Sequence, residues 1–395
     1  ERLRTAAFTT FRRLLDLCER ESPDFLLLAG DVYNQEDASV SAQLALRDGF
    51  RRLESLSIPV FLVHGNHDPL ASRLRSVRWP GNVTVFGELP DAVPVFRKGE
   101  GTPLAIIHGA SHASGRETRN LAALFRRTEA CGLHVGLLHA TPGDADGVAR
   151  YAPFSQGDLK ASGMDYWALG HIHDRREVCR EPLAAYPGCT QGLHINEPGE
   201  KGCLLVTAEA RPDGGYAVRT SFRPLGPAVW KTLDMDLGGA ASLDELENRL
   251  RTGLDRAAAE VWSGCEMLLV RLRLQGRTEL DGLLRKGTTC AELADRLRED
   301  GSGVPRIWIK DIDVATRPCV ERGALLERED LLGEVFRLSE AARTASGLQA
   351  LREGPLAPLF AHARAGKALE PLTDEELARL LDDAESLCLD LLEND

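Results

Sequence analysis

One stretch decides how this 395-residue chain folds: the apolar run Ile58-Pro-Val-Phe-Leu-Val63, followed by Gly65-Asn66-His67-Asp68. An amide oxygen is a weak ligand by itself, but beside carboxylates and imidazoles it suits a divalent cation. The adjacent histidine could then give a proton to a reacting group. The tetrapeptide therefore indicates a metal site at the end of a buried strand.

Three further segments place polar groups directly after a short apolar run. They are Gly30-Asp31 after Phe25–Ala29, His139 after Val135–Leu138, and Gly170-His171-Ile172-His173 after Tyr166–Leu169. Taken singly, each group also fits a core histidine or a turn residue. Open α/β sheets, however, place their ligands beyond the carboxyl ends of strands, and all four segments share that pattern. We therefore expect these polar groups to meet along one sheet.

These residues resemble the signature of the calcineurin-like metallophosphoesterases. Within that superfamily the chain is most similar to the SbcD-type DNA repair nucleases, in their YhaO-like branch, because Tyr186–Cys203 resembles the segment that follows the last metal motif there. The resemblance is strong over residues 1–225. It implies an α/β fold, a four-layer metallophosphoesterase sandwich in which two mixed β-sheets are flanked by helices.

The resemblance also implies a role for each site residue. Asp31 would bridge two divalent ions, and His173 would help to bind one of them. The other ion would be completed by Asn66, His139 and His171. His67 would be the catalytic group, since it would lie near the scissile phosphate and protonate the leaving oxygen. Two such ions activate a bridging hydroxide, and the mixed ligands suit Mn²⁺ best, with Fe²⁺ or Zn²⁺ as alternatives.

One family motif is not found in the printed residues. The family begins with a strand bearing Asp-x-His, and no such motif precedes Asp31. Residues 1 to about 20 instead carry apolar side chains at helical spacing, among them Phe8, Phe11 and Leu15. We therefore expect the natural amino terminus to lie upstream, and we expect the printed chain to hold at most one metal ion tightly.

The other histidines have a simpler interpretation. Four of them flank strands and are expected to pack or to support ligands: His64, His108, His112 and His134. His194 lies in the segment after the metal motifs. We expect it near the metals, where it would orient a ligand or contact substrate.

Three domains are expected. Residues 1–225 would form the nuclease domain without its first strand. Residues 226–320 read as β-α-β-α-β, which predicts a small α+β domain that is either the family's capping domain or a structural appendage. Residues 321–395 are helical. Their leucine stripe, from Leu377 to Leu391, follows the capping box Thr373-Asp-Glu-Glu376 and would face the chain itself, a partner or a second copy.

Charge and composition limit the function classes. Residues 1–225 carry 26 basic and 27 acidic side chains, against 22 and 33 in the remainder. Proteins that coat DNA bind its phosphates mainly with Lys and Arg. Because this chain is acidic, a partner would have to supply most of the affinity for DNA. No apolar run approaches the roughly 20 residues that span a bilayer. Nine scattered cysteines without a Cys-x-x-Cys pair favour a reduced, cytoplasmic setting.

Three functions remain open from the sequence. The first is a Mn²⁺-dependent DNA exonuclease or endonuclease in DNA repair, partnered by an SbcC-like or YhaN-like coiled-coil ATPase, with a homodimer possible. The second is a phosphoesterase for a smaller, nucleotide-type substrate. The third is a non-catalytic scaffold subunit of an ATPase complex. His67 argues against the scaffold, because a scaffold needs no proton donor, while the Asp-x-His departure argues for it.

Overall fold

A computed structural model describes residues 2–33, 40–71, 77–143, 150–212, 214–299, 303–319, 322–362 and 372–392. Its helices are α1 (Arg2–Glu21), α2 (Val40–Ser55), α3 (Gln156–Ala161), α4 (Leu243–Glu260), α5 (Asp281–Leu284), α6 (Thr289–Glu299), α7 (Arg322–Leu326), α8 (Leu331–Ala342), α9 (Ala345–Glu353), α10 (Ala357–Ala361) and α11 (Asp374–Leu392), with a 3₁₀ turn at Ala122–Leu124. Its strands are β1 (Leu26–Ala29), β2 (Val60–Val63), β3 (Val83–Val85), β4 (Asp91–Val95), β5 (Ala105–Ala110), β6 (Leu133–His139), β7 (Tyr166–Gly170), β8 (Arg176–Arg180), β9 (Leu183–Tyr186), β10 (Gly202–Ala210), β11 (Tyr216–Pro224), β12 (Ala228–Asp236), β13 (Met267–Gln275), β14 (Arg277–Thr278), β15 (Arg306–Val314) and β16 (Arg317–Pro318).

Two sheets form the centre of the amino-terminal region. Strands β1, β2 and β3 are parallel neighbours, because α2 and a long connection return the chain to the same end of the sheet. The second sheet has the order β4-β5-β6-β7-β9-β8 and is mixed, with antiparallel strands β4 and β8 at its edges. The prediction of two mixed sheets therefore holds for the larger sheet, whereas the described strands of the smaller one are all parallel.

Apolar side chains fill the layers on both sides of each sheet. Phe61 and Val63 of β2 belong to one buried cluster with Val135 and Leu137 of β6. Helices α1 and α2 cover the other face of the smaller sheet, through a cluster that contains Leu14, Phe50 and Leu53. A third cluster, around Phe125, Leu159 and Trp167, covers the larger sheet. The α/β fold with sheets flanked by helices is confirmed, as is the amphipathic helix predicted at the start of the chain.

The predicted ligands do not follow strands of one sheet. Asp31 and Asn66 follow β1 and β2, whereas His139 ends β6 and His171 follows β7 of the larger sheet. The one-sheet prediction was wrong, because apolar runs do not reveal which strands pair. The carboxyl ends meet because the sheets pack together. A Cβ at Gly170 would lie 1.8 Å from the carbonyl oxygen of Ala29, so only glycine fits there.

The predicted β-α-β-α-β order after residue 226 is confirmed as β12-α4-β13-α6-β15, with a sheet of order β12-β13-β15. Four inward side chains of β13 are almost fully buried: Leu268, Val270, Leu272 and Leu274. One compact unit comprises residues 1–235, 247–274 and 287–314, and another comprises 236–246, 275–286 and 315–395. The predicted boundaries at 225 and 320 stay predictions.

The last helix, α11, begins at the predicted capping box. The Glu376 carboxylate accepts the backbone N–H of Thr373 at 2.7 Å, and the Thr373 hydroxyl accepts the N–H of Glu376 at 3.2 Å. The predicted leucine stripe, however, divides between two faces: Leu377 is buried, whereas Leu380, Leu387 and Leu391 are exposed. Among the described helices, none is both long and apolar enough to cross a membrane.

Candidate metal centre

Asp68 connects the two loops that follow β1 and β2. Its carboxylate is fully buried and accepts backbone N–H groups from Asp31 (3.1 Å), Val32 (3.1 Å) and Gly65 (2.7 Å). A buried amide without an acceptor costs free energy, so this carboxylate satisfies three donors at once. The last residue of the Gly-Asn-His-Asp motif is therefore structural, a role that the sequence analysis missed.

Asp31 lies in a sharp turn after β1. The φ angles of Gly30 and Asp31 are 87° and 51°, in the left-handed region that glycine adopts without strain. A Cβ at Gly30 would lie 2.5 Å from Nδ1 of His139. One carboxylate oxygen of Asp31 accepts the backbone N–H of His67 at 2.9 Å, and the other lies 3.2 Å from Nε2 of His139. The turn therefore directs the carboxylate at the end of β6.

Asp31 is negatively charged at neutral pH. Burial by itself raises the pKa of Asp31, but the hydrogen bond and charge of His139, together with the N–H of His67, outweigh burial and lower the pKa to about 2. Metal ligands of this kind bind as carboxylates. The ionisation state of Asp31 therefore suits a cation site.

His139 ends β6 and is held on several sides. Its side chain is 1% exposed, and its Nδ1 lies 2.8 Å from the carbonyl oxygen of Ala29, to which it can only donate. The backbone carbonyl of His139 accepts a hydrogen bond from Nε2 of His112 at 2.6 Å. His112 therefore supports a predicted ligand, as expected for the histidines that flank strands.

Acceptor atoms converge on the remaining ring nitrogen of His139. In the neutral ring, with its one proton on Nδ1, Nε2 is an acceptor, and it lies 3.0 Å from Oδ1 of Asn66 and 3.2 Å from the Asp31 carboxylate. Three electron-rich atoms at these distances repel one another unless a proton or cation lies between them. Nitrogen and oxygen donors in this combination suit a divalent transition metal. The residues present therefore fit the ion that the fold implies.

His171 joins this group from the end of β7. Single donor atoms of Asp31, His139 and His171 all lie within 4.8 Å of one another. The rings of His139 and His171 are 5.1 Å apart in a T-shaped arrangement. His171 has a φ of 101°, so both Asp31 and His171 occupy the left-handed region that L residues rarely adopt. Strained backbone at two predicted ligands is typical of a functional site.

His173 lies outside that group. Its side chain is 57% exposed, and its donor atoms are grouped instead with those of Cys189 and Glu197, within 4.8 Å. Nδ1 of His173 lies 2.5 Å from Oε1 of Glu197. This hydrogen bond raises the pKa of His173, and the charge of Asp31 adds to the effect.

His67, the predicted catalytic residue, is exposed beside the group. Its backbone N–H binds Asp31, and the charge of its imidazole contributes to the low pKa of that carboxylate. An accessible imidazole next to the predicted ligands can reach a substrate bound there. The structure therefore places His67 close to the group without burying it.

Glu197 is the residue that the sequence analysis missed in the segment after the metal motifs. His194, which was expected near the metals, is exposed, and its Nδ1 accepts the backbone N–H of Asn196 at 3.2 Å. Glu197 contacts His173 instead. It is the sole acidic residue between positions 186 and 198, and that isolation was the available signal.

Comparisons with known proteins give the family. Residues 5–175 match the calcineurin-like phosphoesterase family, and residues 230–317 match the middle domain of metallophosphoesterase YhaO. The chain is 33% identical over 360 residues to the uncharacterized metallophosphoesterase YhaO of Bacillus subtilis, covering 90% of this chain and 84% of the relative.

More distant relatives are named DNA double-strand break repair protein Mre11. The protein from Aeropyrum pernix is 27% identical over 66% of this chain and 64% of its own length, and that from Haloferax volcanii is 24% identical over 81% and 69%. The metallophosphoesterases use divalent metals, in agreement with the donor groups described above. This chain therefore belongs to the calcineurin-like metallophosphoesterases, in the family of YhaO.

Proposed function

We propose that this chain is a Mn²⁺-dependent phosphodiesterase that cleaves DNA in DNA repair. The observation that carries the proposal is the convergence of Asp31, Asn66, His139 and His171 beside the exposed His67. A divalent ion bound there supplies positive charge that polarises a phosphodiester and offsets the charge developing on it. The mixed donor set suits Mn²⁺, and also Fe²⁺ or Zn²⁺.

The residues of the chain divide the remaining work. Asp31 contributes the negative charge of the ligand set, while His139 and His171 contribute neutral nitrogens. With Asp31, His173 would hold a second ion. His67 protonates the leaving oxygen, since it is the exposed imidazole of the Gly-Asn-His-Asp motif. Asp68 keeps the loops that carry these groups together.

DNA is the preferred substrate class because several relatives are named for repair of DNA double-strand breaks. The acidic composition explains why the chain would not act alone. Residues 226–395 carry 22 basic against 33 acidic side chains, so they are poorly suited to hold a phosphate backbone. A partner that contributes positive charge would supply the missing affinity.

The test is Mn²⁺-dependent cleavage of end-labelled single- and double-stranded DNA, beside a small chromogenic phosphodiester, by protein that carries its native amino terminus. His67→Ala should abolish cleavage, and Glu209→Ala, which changes a 70% exposed glutamate on β10 outside the predicted ligand set, should retain it. Turnover of the small ester alone would favour a nucleotide-sized substrate. Inactivity on every substrate, with and without an ATPase partner, would favour the scaffold.

We further propose that the partner is an SbcC-like or YhaN-like coiled-coil ATPase that docks on α11. Leu380, Leu387 and Leu391 are 44%, 59% and 65% exposed, and they recur at helical spacing on one face. An exposed apolar stripe of this kind fits an amphipathic helix of a partner. Leu387→Glu should weaken binding of the purified ATPase, whereas Leu359→Glu on α10 should not, and sedimentation would show whether the stripe joins two copies instead.

We place this activity in the cytoplasm. All nine cysteines lie in the described part of the chain, and all nine are free thiols. Free thiols persist in a reducing compartment. Mass analysis of protein alkylated directly in cell extracts should find all nine cysteines as thiols and none in a disulfide.

A further inference from the structure

The segment between β9 and β10 holds His173 through three groups. The backbone N–H of Cys189 and the Nζ of Lys201 each donate to the backbone carbonyl of His173 at 3.1 Å. The carboxylate of Glu197 lies 2.5 Å from Nδ1 of the ring. Both the backbone and the side chain of His173 are therefore set by residues that follow it in the chain.

Glu197 is itself held in place. Its second carboxylate oxygen accepts the backbone N–H of Leu193 at 2.7 Å, and its own N–H binds the carbonyl of His194 at 2.9 Å. Gly199, two residues on, donates to the carbonyl of Trp230 in β12 at 2.9 Å. The Glu197 side chain is 19% exposed. The carboxylate is therefore oriented by the turn that carries it and does not depend on His173 for its position.

The hydrogen bond determines which nitrogen of His173 is available. A carboxylate has no proton to give, so the Nδ1 of His173 must be the donor. The neutral ring then keeps its lone pair on Nε2. Histidine ligands of metals commonly donate their other N–H to a carboxylate, which orients the ring and makes the ligand nitrogen more basic.

We propose that Glu197 is the positioning residue of His173, which it orients through Nδ1 so that Nε2 is the metal-binding atom. This inference rests on the proposed function, because it takes His173 to be a ligand. Lys201, 6% exposed, fixes the backbone at the same point. The segment that resembles the YhaO-like branch thus acquires a role, which is to hold a ligand that the strands alone leave exposed.

A separate metal site made of His173, Cys189 and Glu197 is the competing explanation, since their donor atoms lie within 4.8 Å. The hydrogen bonds argue against it. Nδ1 of His173 and both oxygens of Glu197 are already engaged. A metal would have to break these bonds and would gain one thiol, so positioning explains the arrangement with fewer changes.

The test is Mn²⁺ affinity in the full-length protein, measured from the spectrum of free Mn²⁺ during titration and not from activity. The proposal predicts that Glu197→Ala weakens the binding step that His173→Ala also weakens, by about 10- to 100-fold. Glu197→Gln should recover part of the affinity, because an amide oxygen still accepts from Nδ1. Glu209→Ala, a 70% exposed glutamate on β10, is the matched control. Thermal unfolding would confirm that all variants are folded.

Each outcome separates this inference from the proposed function. If His173→Ala weakens Mn²⁺ binding and Glu197→Ala does not, Glu197 is not a positioning residue and the proposed function stands. If His173→Ala leaves binding unchanged, His173 is not a ligand and the premise fails. If Cys189→Ser lowers Zn²⁺ binding as much as Glu197→Ala does, the three residues form a metal site and the inference is overturned.

Discussion

The inner and outer parts of the candidate centre are held by different means. The inner part, Asp31 with His139, is placed by two packed sheets and by the buried Asp68, and His139 is 1% exposed. The outer part, His173, is 57% exposed and is placed by loop residues that follow it. Damage to the inner part should therefore affect both the fold and the chemistry, whereas damage to the outer part should affect mainly metal binding.

The largest expected effect is a loss of activity, which should be greater when the inner part is changed than when the outer part is changed. On the proposed function, His139→Ala should lower kcat/KM for DNA cleavage on the order of 10³-fold, because it removes a proposed ligand at the centre of the group, and such ions supply several kcal/mol. His173→Ala should cost less. Steady-state cleavage with metal analysis of each variant is the measurement. Equal losses in both variants would contradict the division.

Asp68 tests whether the inner part also supports the fold. Asp68→Ala would leave three buried backbone donors without their acceptor, and we expect a loss of about 3–5 kcal/mol in the free energy of unfolding. Urea unfolding of the metal-free protein measures it. Asp24→Ala is the control, since it breaks an exposed pair with Arg97 and should cost less than about 1 kcal/mol.

Acid should destabilise the inner part. Burial, aided by the charge of His139, lowers the pKa of His112 to about 4. As the pH falls, His112 in the unfolded chain therefore takes up a proton near the ordinary histidine pKa of about 6.5, before His112 in the folded protein does. The stability that His112 contributes should be complete above that pH and decrease by about 3 kcal/mol as pH falls to 4. His112→Gln should flatten the decrease in unfolding measurements.

The outer part should respond with the opposite sign. Glu197 raises the pKa of His173, so the contribution of this pair is complete below the ordinary pKa of histidine and is lost as pH rises through the raised value. Glu197→Ala should remove that dependence from the metal-free protein. If the contributions of His112 and His173 to the free energy of unfolding changed in the same direction with pH, the two parts would not be distinct.

The inner part could be predicted from the sequence because its signal is local. Asp31, Asn66 and His139 each come just after an apolar run, and strand ends collect ligands. The pairing of strands was not predictable, because an apolar run does not specify its neighbour. The exposed face of α11 was not predictable either. Leu377 and Leu380 lie within one apolar stripe, and only the packing shows which of them is covered.

The outer part was beyond sequence reasoning for a different reason. Glu197 lies 24 residues from His173, across strands β8 and β9, and no periodic pattern connects them. Whether a later loop residue reaches a ligand depends on how the loop folds back. That is decided by contacts such as the hydrogen bond from the N–H of Gly199 to the carbonyl of Trp230. Site residues that sit on strand ends are thus easier to predict than the residues that orient them.

Lys201 offers the smallest effect and the finest test of the comparison. Lys201→Met keeps most of the buried side-chain volume but removes the donor to the His173 carbonyl. That carbonyl also accepts the N–H of Cys189, so it stays satisfied, and stability should change by less than about 1 kcal/mol. Mn²⁺ affinity should fall only a few-fold, on the order of half a kcal/mol to one kcal/mol, because Glu197 still orients the ring. A loss as large as that of Glu197→Ala would show that the backbone of His173, and not its ring, is what the segment positions.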